Sequence, residues 1–108
     1  MLTGLQDPRN DQIAAVLVDY STGVTEGDRV VIVMRESEAF PIARAVSAHC
    51  TRRGAYVQTL FYSAEMQGDI LRLGSDRQVE WVPELWRQAI EWADVCIDVR
   101  GVRNRLTP

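Results

Sequence analysis

The run Arg29-Val-Val-Ile-Val-Met34 is the stretch of this sequence that decides its fold. Four β-branched residues follow one another in it without alternating with polar ones. A strand covered on one face alternates apolar and polar residues, whereas a central strand of a parallel sheet is apolar on both faces. We therefore predict a central strand at residues 29–34, with helices packed on both sides of it.

Signals for helices lie on either side of this strand. Upstream, Asp7 and Pro8 have the residue types of a helix N-cap and first turn, and apolar residues follow at helical spacing until Gly23. Downstream, Ser37 is expected to cap a second helix, which ends at Gly54. The other elements predicted are a strand at 55–61, a helix from Ser63 through Leu73, a turn from Ser75 through 81–82, a helix from Pro83 and a strand at 94–99.

The predicted order of elements is α-β-α-β-α-α-β. Strands that alternate with helices form parallel sheets with right-handed crossovers. The first strand is the most apolar, whereas Gln58 and Thr59 interrupt the second, which suits an edge of the sheet. The sequence therefore predicts an α/β fold, a three-layer Rossmann-like half domain. Its mainly parallel sheet of about three strands has the order 2-1-3, with helices on both faces.

The residues after the third predicted strand differ from the rest. Residues 100–105 contain three arginines, and Thr107-Pro108 follow. A three-stranded parallel sheet also leaves its third strand as an open edge. We therefore predict one α/β domain at residues 1–99 and a linker at 100–108 toward a further domain. The alternative is a free domain with a basic tail.

Composition excludes several functions. The 108 residues fit one domain, and all 12 basic residues are Arg, which excludes the amine chemistry of a P-loop or Schiff-base lysine. The single histidine, His49, cannot build a His-rich zinc site and is expected at the core or its boundary. The net charge of −3 disfavours a nucleic-acid partner. We expect neither a secretory signal nor a membrane span, and we predict the cytoplasm as the compartment.

The carboxyl end of the sheet is the predicted ligand site. In open α/β sheets, ligands bind beyond the carboxyl ends of the strands where the strand order reverses, here between strands one and three. A helix N-terminus at Ser37 and nearby arginines would suit a small anion. The alternative is that Ser37 only caps its helix and the arginines pair with Glu36 or Glu38. The candidate ligand-binding residues are Arg35, Glu36, Ser37, Glu38 and Arg100.

Metal and thiol chemistry have few candidates in this chain. Glu36, Glu38 and Asp98 could hold a hard cation such as magnesium, but nothing in the sequence fixes their convergence, and we predict no metal site. Cys50 and Cys96 match no metal-binding spacing and are expected to be small buried hydrophobic residues. A thiol buried in an apolar strand has a raised pKa, so Cys96 is expected to be inert.

Three tryptophans, Trp81, Trp86 and Trp92, concentrate aromatic area between residues 81 and 92. Their spacing does not place all three on one face of a helix. One is therefore expected to pack on the sheet, and the others to be partly exposed at a domain or subunit interface. The alternative is that all three are ordinary packing residues.

Several segments resemble the N-terminal domain of the thermophilic aminopeptidase family, the aminopeptidase T-like metallopeptidases. Each segment is short, but their order and spacing agree over residues 13–98. The segment that opens the resemblance is Asp19-Tyr-Ser-Thr-Gly-Val-Thr-Glu-Gly-Asp-Arg-Val30. The segments that continue it are Glu38-Ala-Phe-Pro41, Ala43-Arg-Ala45, Arg52-Arg-Gly-Ala55, Glu80-Trp-Val-Pro83 and Ala93-Asp94.

This resemblance implies a non-catalytic domain that packs on or gates a catalytic domain of the same polypeptide. In that family the catalytic domain holds two divalent metal ions (zinc, cobalt or manganese) that activate water against the N-terminal peptide bond of a peptide substrate, and the enzymes are homodimers. The matched residues include none of the metal ligands, so we predict that this chain is inactive alone. The family also has relatives that are metal-dependent oxygenases. A different reading is a stand-alone binding or interaction module for a small anionic ligand.

Overall fold

The computed structural model describes residues 8–16, 18 and 23–99. Three strands and five α-helices follow one another along these residues, and a short 3-10 turn, Ser37–Ala39, precedes the second helix. The elements are α1 (Pro8–Val16), β1 (Arg29–Met34), α2 (Phe40–Arg52), β2 (Tyr56–Phe61), α3 (Ala64–Leu73), α4 (Asp76–Glu80), α5 (Glu84–Trp92) and β3 (Val95–Val99). The predicted elements are therefore found, and each predicted strand agrees with the structure to within one residue.

The strands form a parallel sheet in the order β2-β1-β3, which confirms the predicted topology. In the register, Val30 of β1 lies between Val57 of β2 and Val95 of β3. The central position of β1 explains its composition, because helices cover both of its faces. The chain crosses from β1 to β2 through α2, and from β2 to β3 through α3 to α5. The strands are parallel and the two crossovers lead to opposite edges of the sheet, so right-handed connections place α2 on one face and α3 to α5 on the other.

The first helical layer consists of α1 and α2 and covers one face of the sheet. The alternate residues Val30 and Ile32 of β1 and Ile97 and Val99 of β3 belong to a single buried cluster. The residues that α1, α2 and their connections add to this cluster include Ala14, Val18, Val24, Ala39, Ile42, Ala45, Val46 and Cys50. Burial of this apolar area is the main source of the stability of the domain.

The second helical layer, α3 to α5, is packed differently. No residue of these three helices is buried, although α5 has the most pronounced apolar face of the helices described. Helix α5 nevertheless lies against β1, and both Val31 and Val33, on the face of β1 opposite the cluster, are buried. The layer thus covers the centre of the sheet and leaves much of its own apolar surface in solvent.

Local sequence signals explain how the second layer starts its helices. The Ser63 hydroxyl accepts a hydrogen bond from the Met66 amide at 3.1 Å, and it caps α3 as predicted. Ser75 and Gln78 form a reciprocal capping box at the start of α4. Two orphan amides are satisfied by such a box, which allows a helix of only five residues to form.

Glycines make the turns at the amino end of the sheet. Gly27 and Gly54 both have φ of +87°, a left-handed conformation that side chains disfavour. The Gly27 amide donates to the Gly54 carbonyl at 3.0 Å, so the turn before β1 is joined to the turn that ends α2. A Cβ at Gly54 would also lie 2.9 Å from Cγ of Glu26.

Some predictions concern residues outside the described ranges. These are the N-cap at Asp7, the last predicted turn of the first helix before Gly23, and the linker at 100–108. Within the described ranges, the helices are too short or too polar to cross a membrane.

Candidate functional site

The predicted ligand-binding residues meet in one crevice at the carboxyl end of the sheet. It has a volume of about 300 Å³. The connection between β1 and α2 forms one wall, and the connection between β2 and α3 forms the other. The lining residues are Arg35, Glu36, Ser37, Glu38, Phe61, Ser63, Ala64 and Glu65. Four of the five predicted residues are therefore brought together, and the fifth, Arg100, lies outside the described residues.

The crevice opens on a different side from the one predicted. We expected it between β1 and β3, but its second wall follows β2. Two backbone hydrogen bonds hold this wall in place, because the Tyr62 amide donates to the Met34 carbonyl at 2.9 Å and the Ala64 amide donates to the Arg35 carbonyl at 3.4 Å. The chain thus continues beside β1 past the end of the sheet before α3 begins.

Arg35 connects all three strands at this end. Its Nε donates to both carboxylate oxygens of Asp98 on β3, at 3.0 and 3.2 Å. Its guanidinium carbon lies 5.3 Å from the centre of the Tyr62 ring, which in turn stacks on Trp86 of α5 at 4.5 Å. The alternative that the arginines pair with Glu36 or Glu38 does not hold for Arg35, whose ion-pair partner is Asp98 on β3. Its charge is largely committed to this structural role.

Ser37 does not cap a helix, which corrects the prediction. The 3-10 turn begins after Glu36, and α2 begins after Ala39 with no side-chain capping bond at either N-cap. The Ser37 hydroxyl instead lies 3.5 Å from a carboxylate oxygen of Glu38. Proline in the first turn of α2 sets the helix geometry in place of a polar cap.

The charge of the crevice argues against a small anion. Three carboxylates line it, those of Glu36, Glu38 and Glu65, and among the described residues the one lining cation, Arg35, is bonded to Asp98. Within the described part of the chain, no three His, Cys, Asp or Glu side chains are grouped so that they could hold a metal ion. The magnesium cluster of Glu36, Glu38 and Asp98 is therefore not formed. The described residues likewise do not fit a two-metal centre.

The two cysteines lie in different environments. Cys50 is buried in the first layer, and burial raises the pKa of its thiol, partly offset by Arg53. Cys96 is exposed on β3, which corrects the prediction that it is buried. The pKa of its thiol is nevertheless raised, first by partial desolvation and then by Asp98. His49 lies at the boundary of the core, as expected.

The tryptophans divide as predicted between packing and exposure. Trp86 is half-buried and stacks on Tyr62, so it is the one that joins α5 to the end of β2. Trp92 lies beside Arg29, whose guanidinium carbon is 5.7 Å from the ring centre. Trp81 is exposed at a groove between α3 and α4 whose volume is about 620 Å³.

A second cleft was not predicted from the sequence. It lies between α2 and the edge strand β2 and has a volume of about 250 Å³. Arg44 lines it, with Phe40 before it and Ser47 after it at helical spacing. This i, i+4, i+7 pattern on α2 is the signal that could have shown that an arginine shares a face with apolar residues next to the sheet.

Comparisons of the chain with protein-family models, with curated proteins and with solved structures returned no significant match. The resemblance to the aminopeptidase family therefore stays a prediction.

Proposed function

We propose that this chain is a non-catalytic N-terminal domain of a metal-dependent aminopeptidase, which removes N-terminal residues from peptides. In this proposal the layer of α3 to α5 packs against a catalytic domain of the same polypeptide. That domain would hold the two divalent metal ions and the peptide substrate. The role of the present residues is to provide a rigid α/β platform that positions or gates the catalytic domain.

The observation that carries this proposal is the exposed apolar surface of the second layer. Leu85 is 79% exposed, Leu73 is 75% exposed and Leu71 is 67% exposed. Other large apolar residues exposed in this layer or at its ends are Met66, Ile70, Val79, Trp81, Val82 and Ile90. Single exposed apolar residues are ordinary in soluble domains, but many of them in one layer support an interface with another protein surface.

The position of this surface suits a neighbouring domain. Charged residues border the groove between α3 and α4, with Asp69 on one side and Arg77 on the other, while Ile70, Leu73 and Trp81 line it. Apolar centres with polar rims are typical of interfaces between folded domains. The first layer exposes less apolar surface, because most of its described apolar residues are buried against the sheet, although Phe40 is about half exposed.

The fold and the resemblance support the same assignment from different directions. The resemblance implies an α/β domain that precedes the catalytic domain, and the chain has an α/β fold of this size. The acidic lining of the carboxyl-end crevice gives less support to the second reading, a stand-alone module for a small anion. Aminopeptidase chemistry would depend on metal ligands that lie outside the residues matched.

An activity assay tests the non-catalytic part of the proposal. The 108-residue chain is mixed with an aminoacyl chromogenic substrate and with cobalt, zinc or manganese. We expect no turnover above that of the free metal ions. Robust turnover that a chelator abolishes would overturn the proposal.

A second experiment tests the packing surface. Leu71→Glu and Leu85→Glu together place charge on the second layer, whereas Arg52→Glu places charge on the exposed end of α2 as a control. We expect the wild-type chain and the control to bind a fluorescent apolar dye, and the double variant to lose most of this binding without a change in its unfolding midpoint. Sequencing downstream of Pro108 complements this test, since a region rich in Glu, His and Asp supports the proposal and a stop codon contradicts it.

A further inference from the structure

The cleft between α2 and β2 combines an apolar wall with a cationic group. Five of its lining residues are large and apolar: Ile32, Met34, Phe40, Leu60 and Phe61. Its polar lining consists of the Arg44 guanidinium and the hydroxyls of Ser47 and Thr59. Ser47 follows Arg44 by about one turn of α2, whereas Thr59 lies across the cleft on β2.

One nitrogen of the Arg44 guanidinium lacks a hydrogen-bond partner among the described residues. Its Nη1 is buried and makes no hydrogen bond within the described part of the chain. Buried polar groups in folded proteins almost always have a hydrogen-bond partner, and an arginine nitrogen is among the costlier groups to leave without one. An arginine side chain can usually extend into solvent, so a buried and unpaired Nη1 indicates a place for an acceptor.

The size of the cleft limits what that acceptor can belong to. A cavity of about 150 Å³ accommodates a benzene molecule. The cleft has about 250 Å³, which adds room for a carboxyl group and one or two further carbon atoms. Its apolar walls would cover a hydrocarbon body, as in most small-molecule sites, where a few polar groups fix the orientation.

We propose that this cleft binds a small organic monocarboxylate with an apolar body, whose carboxylate pairs with Arg44. The guanidinium offers donors in the fork geometry that a carboxylate accepts, and the hydroxyls of Ser47 and Thr59 can donate to the same oxygens. The hydrocarbon part lies against Phe40 and Phe61.

A carboxylate fits the cleft better than a phosphate. Within the described part of the chain, Arg44 is the only ionised residue that lines it, and a phosphate carries more charge than one guanidinium balances. Apolar residues make up most of the wall, and they would force a phosphate to lose its water without replacing the lost hydrogen bonds. This site is separate from the surface of α3 to α5, because its described lining residues belong to α2, β1 and β2, so the inference goes beyond the proposed function.

Calorimetric titration with phenylacetate tests the proposal, with butanoate as a smaller carboxylate and phenylacetamide as a neutral analogue. The variant Arg44→Met removes the charge but keeps the length of the side chain. Arg52→Met is the matched control, because Arg52 lies on the same helix, is exposed and does not line the cleft. Thr59→Val removes one hydroxyl at nearly constant volume.

We expect saturable binding of phenylacetate to the wild-type chain and to Arg52→Met. Binding should weaken at least about tenfold in Arg44→Met and for phenylacetamide, and less in Thr59→Val. The midpoint of thermal unfolding without ligand should be unchanged or higher in Arg44→Met, because an unpaired buried group is removed; this measurement separates loss of binding from loss of folding. The proposal is overturned if no carboxylate binds the wild-type chain up to about 10 mM, or if Arg44→Met binds as tightly as the wild type.

Discussion

The two helical layers of this domain both contain helices with an apolar face, but they bury those faces to different extents. Both contain amphipathic helices that lie against a three-stranded sheet. In the first layer, Ile42 and Val46 of α2 are completely buried, and the cluster around them includes residues of β1 and β3. In the second layer, α5 has a more pronounced apolar face, yet Leu85 on it is 79% exposed.

This difference shows what amphipathicity does and does not determine. An apolar face predicts that something covers the helix, but it does not say what. For α2 the cover is the sheet of the same domain, because the crossover from β1 to β2 is short and holds the helix on the strands. For α3 to α5, Trp86 packs on Tyr62 at the end of β2. The large apolar residues of this layer that stay exposed are available to contact another domain.

The largest expected effect on the free energy of unfolding comes from shortening one apolar side chain in the buried first layer, compared with one in the exposed second layer. Ile42→Ala leaves a cavity in the cluster and is expected to lower the free energy of unfolding by about 2–5 kcal/mol. Leu85→Ala removes similar atoms from an exposed position and should change it by about 0.5 kcal/mol or less. Urea unfolding followed by circular dichroism measures both. Equal losses would mean that Leu85 is covered within this chain, which would break the comparison.

A smaller effect is expected where the second layer does touch the sheet. Trp86→Ala removes the stack on Tyr62 and should cost about 1–2 kcal/mol, because aromatic pairs add to the burial of their area. Trp81→Ala is the matched control, since Trp81 is 65% exposed, and its effect should be near zero. If Trp81→Ala proves the more damaging of the two in urea unfolding, the assignment of Trp86 as the anchor of this layer is wrong.

The cysteines allow the same comparison without a mutation. Both thiols have a raised pKa, so their difference in reactivity depends mainly on access. At about pH 8, iodoacetamide should modify the exposed Cys96 at least about tenfold faster than the buried Cys50. Mass spectrometry of digested protein measures the ratio, and concentrated urea should abolish it. Similar rates in the native protein would show that the first layer opens often.

The smallest effect is expected at the amino end of the sheet. Asp94 accepts hydrogen bonds from the side chain and the backbone amide of Arg29, and these bonds lower the pKa of its carboxyl group. A lowered pKa stabilises the fold above the unfolded value of about 3.9, and this contribution is lost as the pH falls through the folded pKa. Asp94→Asn should therefore lower the unfolding midpoint slightly at neutral pH and flatten its decline in acid.

The variant Arg29→Met provides the control for this pair. If the two side chains act together, the double variant loses little more than either single variant, which a double-mutant cycle measures. Additive losses would mean that the Asp94 carboxylate acts through the Arg29 backbone amide, which donates to it at 2.9 Å and which Arg29→Met keeps.

The sequence predicted the sheet better than the site. The apolar run of β1 and the polar interruptions of β2 were enough to place the strands. The reason is that a strand covered on both faces is apolar throughout, whereas a partly exposed strand also contains polar residues. Ser63 and Ser75 were also predictable, since a helix cap is a contact between near neighbours in the chain. Such local signals do not depend on the rest of the fold.

The contacts of the site depend on distant residues and were missed for that reason. Arg35 pairs with Asp98, which lies on another strand, and nothing near either residue in the sequence selects that partner. Ser37 has the residue type of a cap, but a 3-10 turn shifts the N-cap of α2 by two residues, from Ser37 to Ala39. The burial of Arg44 follows from the position of β2 beside α2, which periodicity alone does not give.

The central place of β1 also has a consequence for the order in which the chain assembles. Its pairing with β2 spans one helix, whereas the contact between Arg29 and Asp94 at the start of β3 spans 65 residues. Each doubling of a loop adds about 0.6 kcal/mol to the entropy cost of closing it, so we expect β1, α2 and β2 to assemble before β3 joins them. Both the carboxyl-end crevice and the Arg44 cleft are lined from these three elements and their flanking connections, so we expect both recesses to form before β3 and α5 are added.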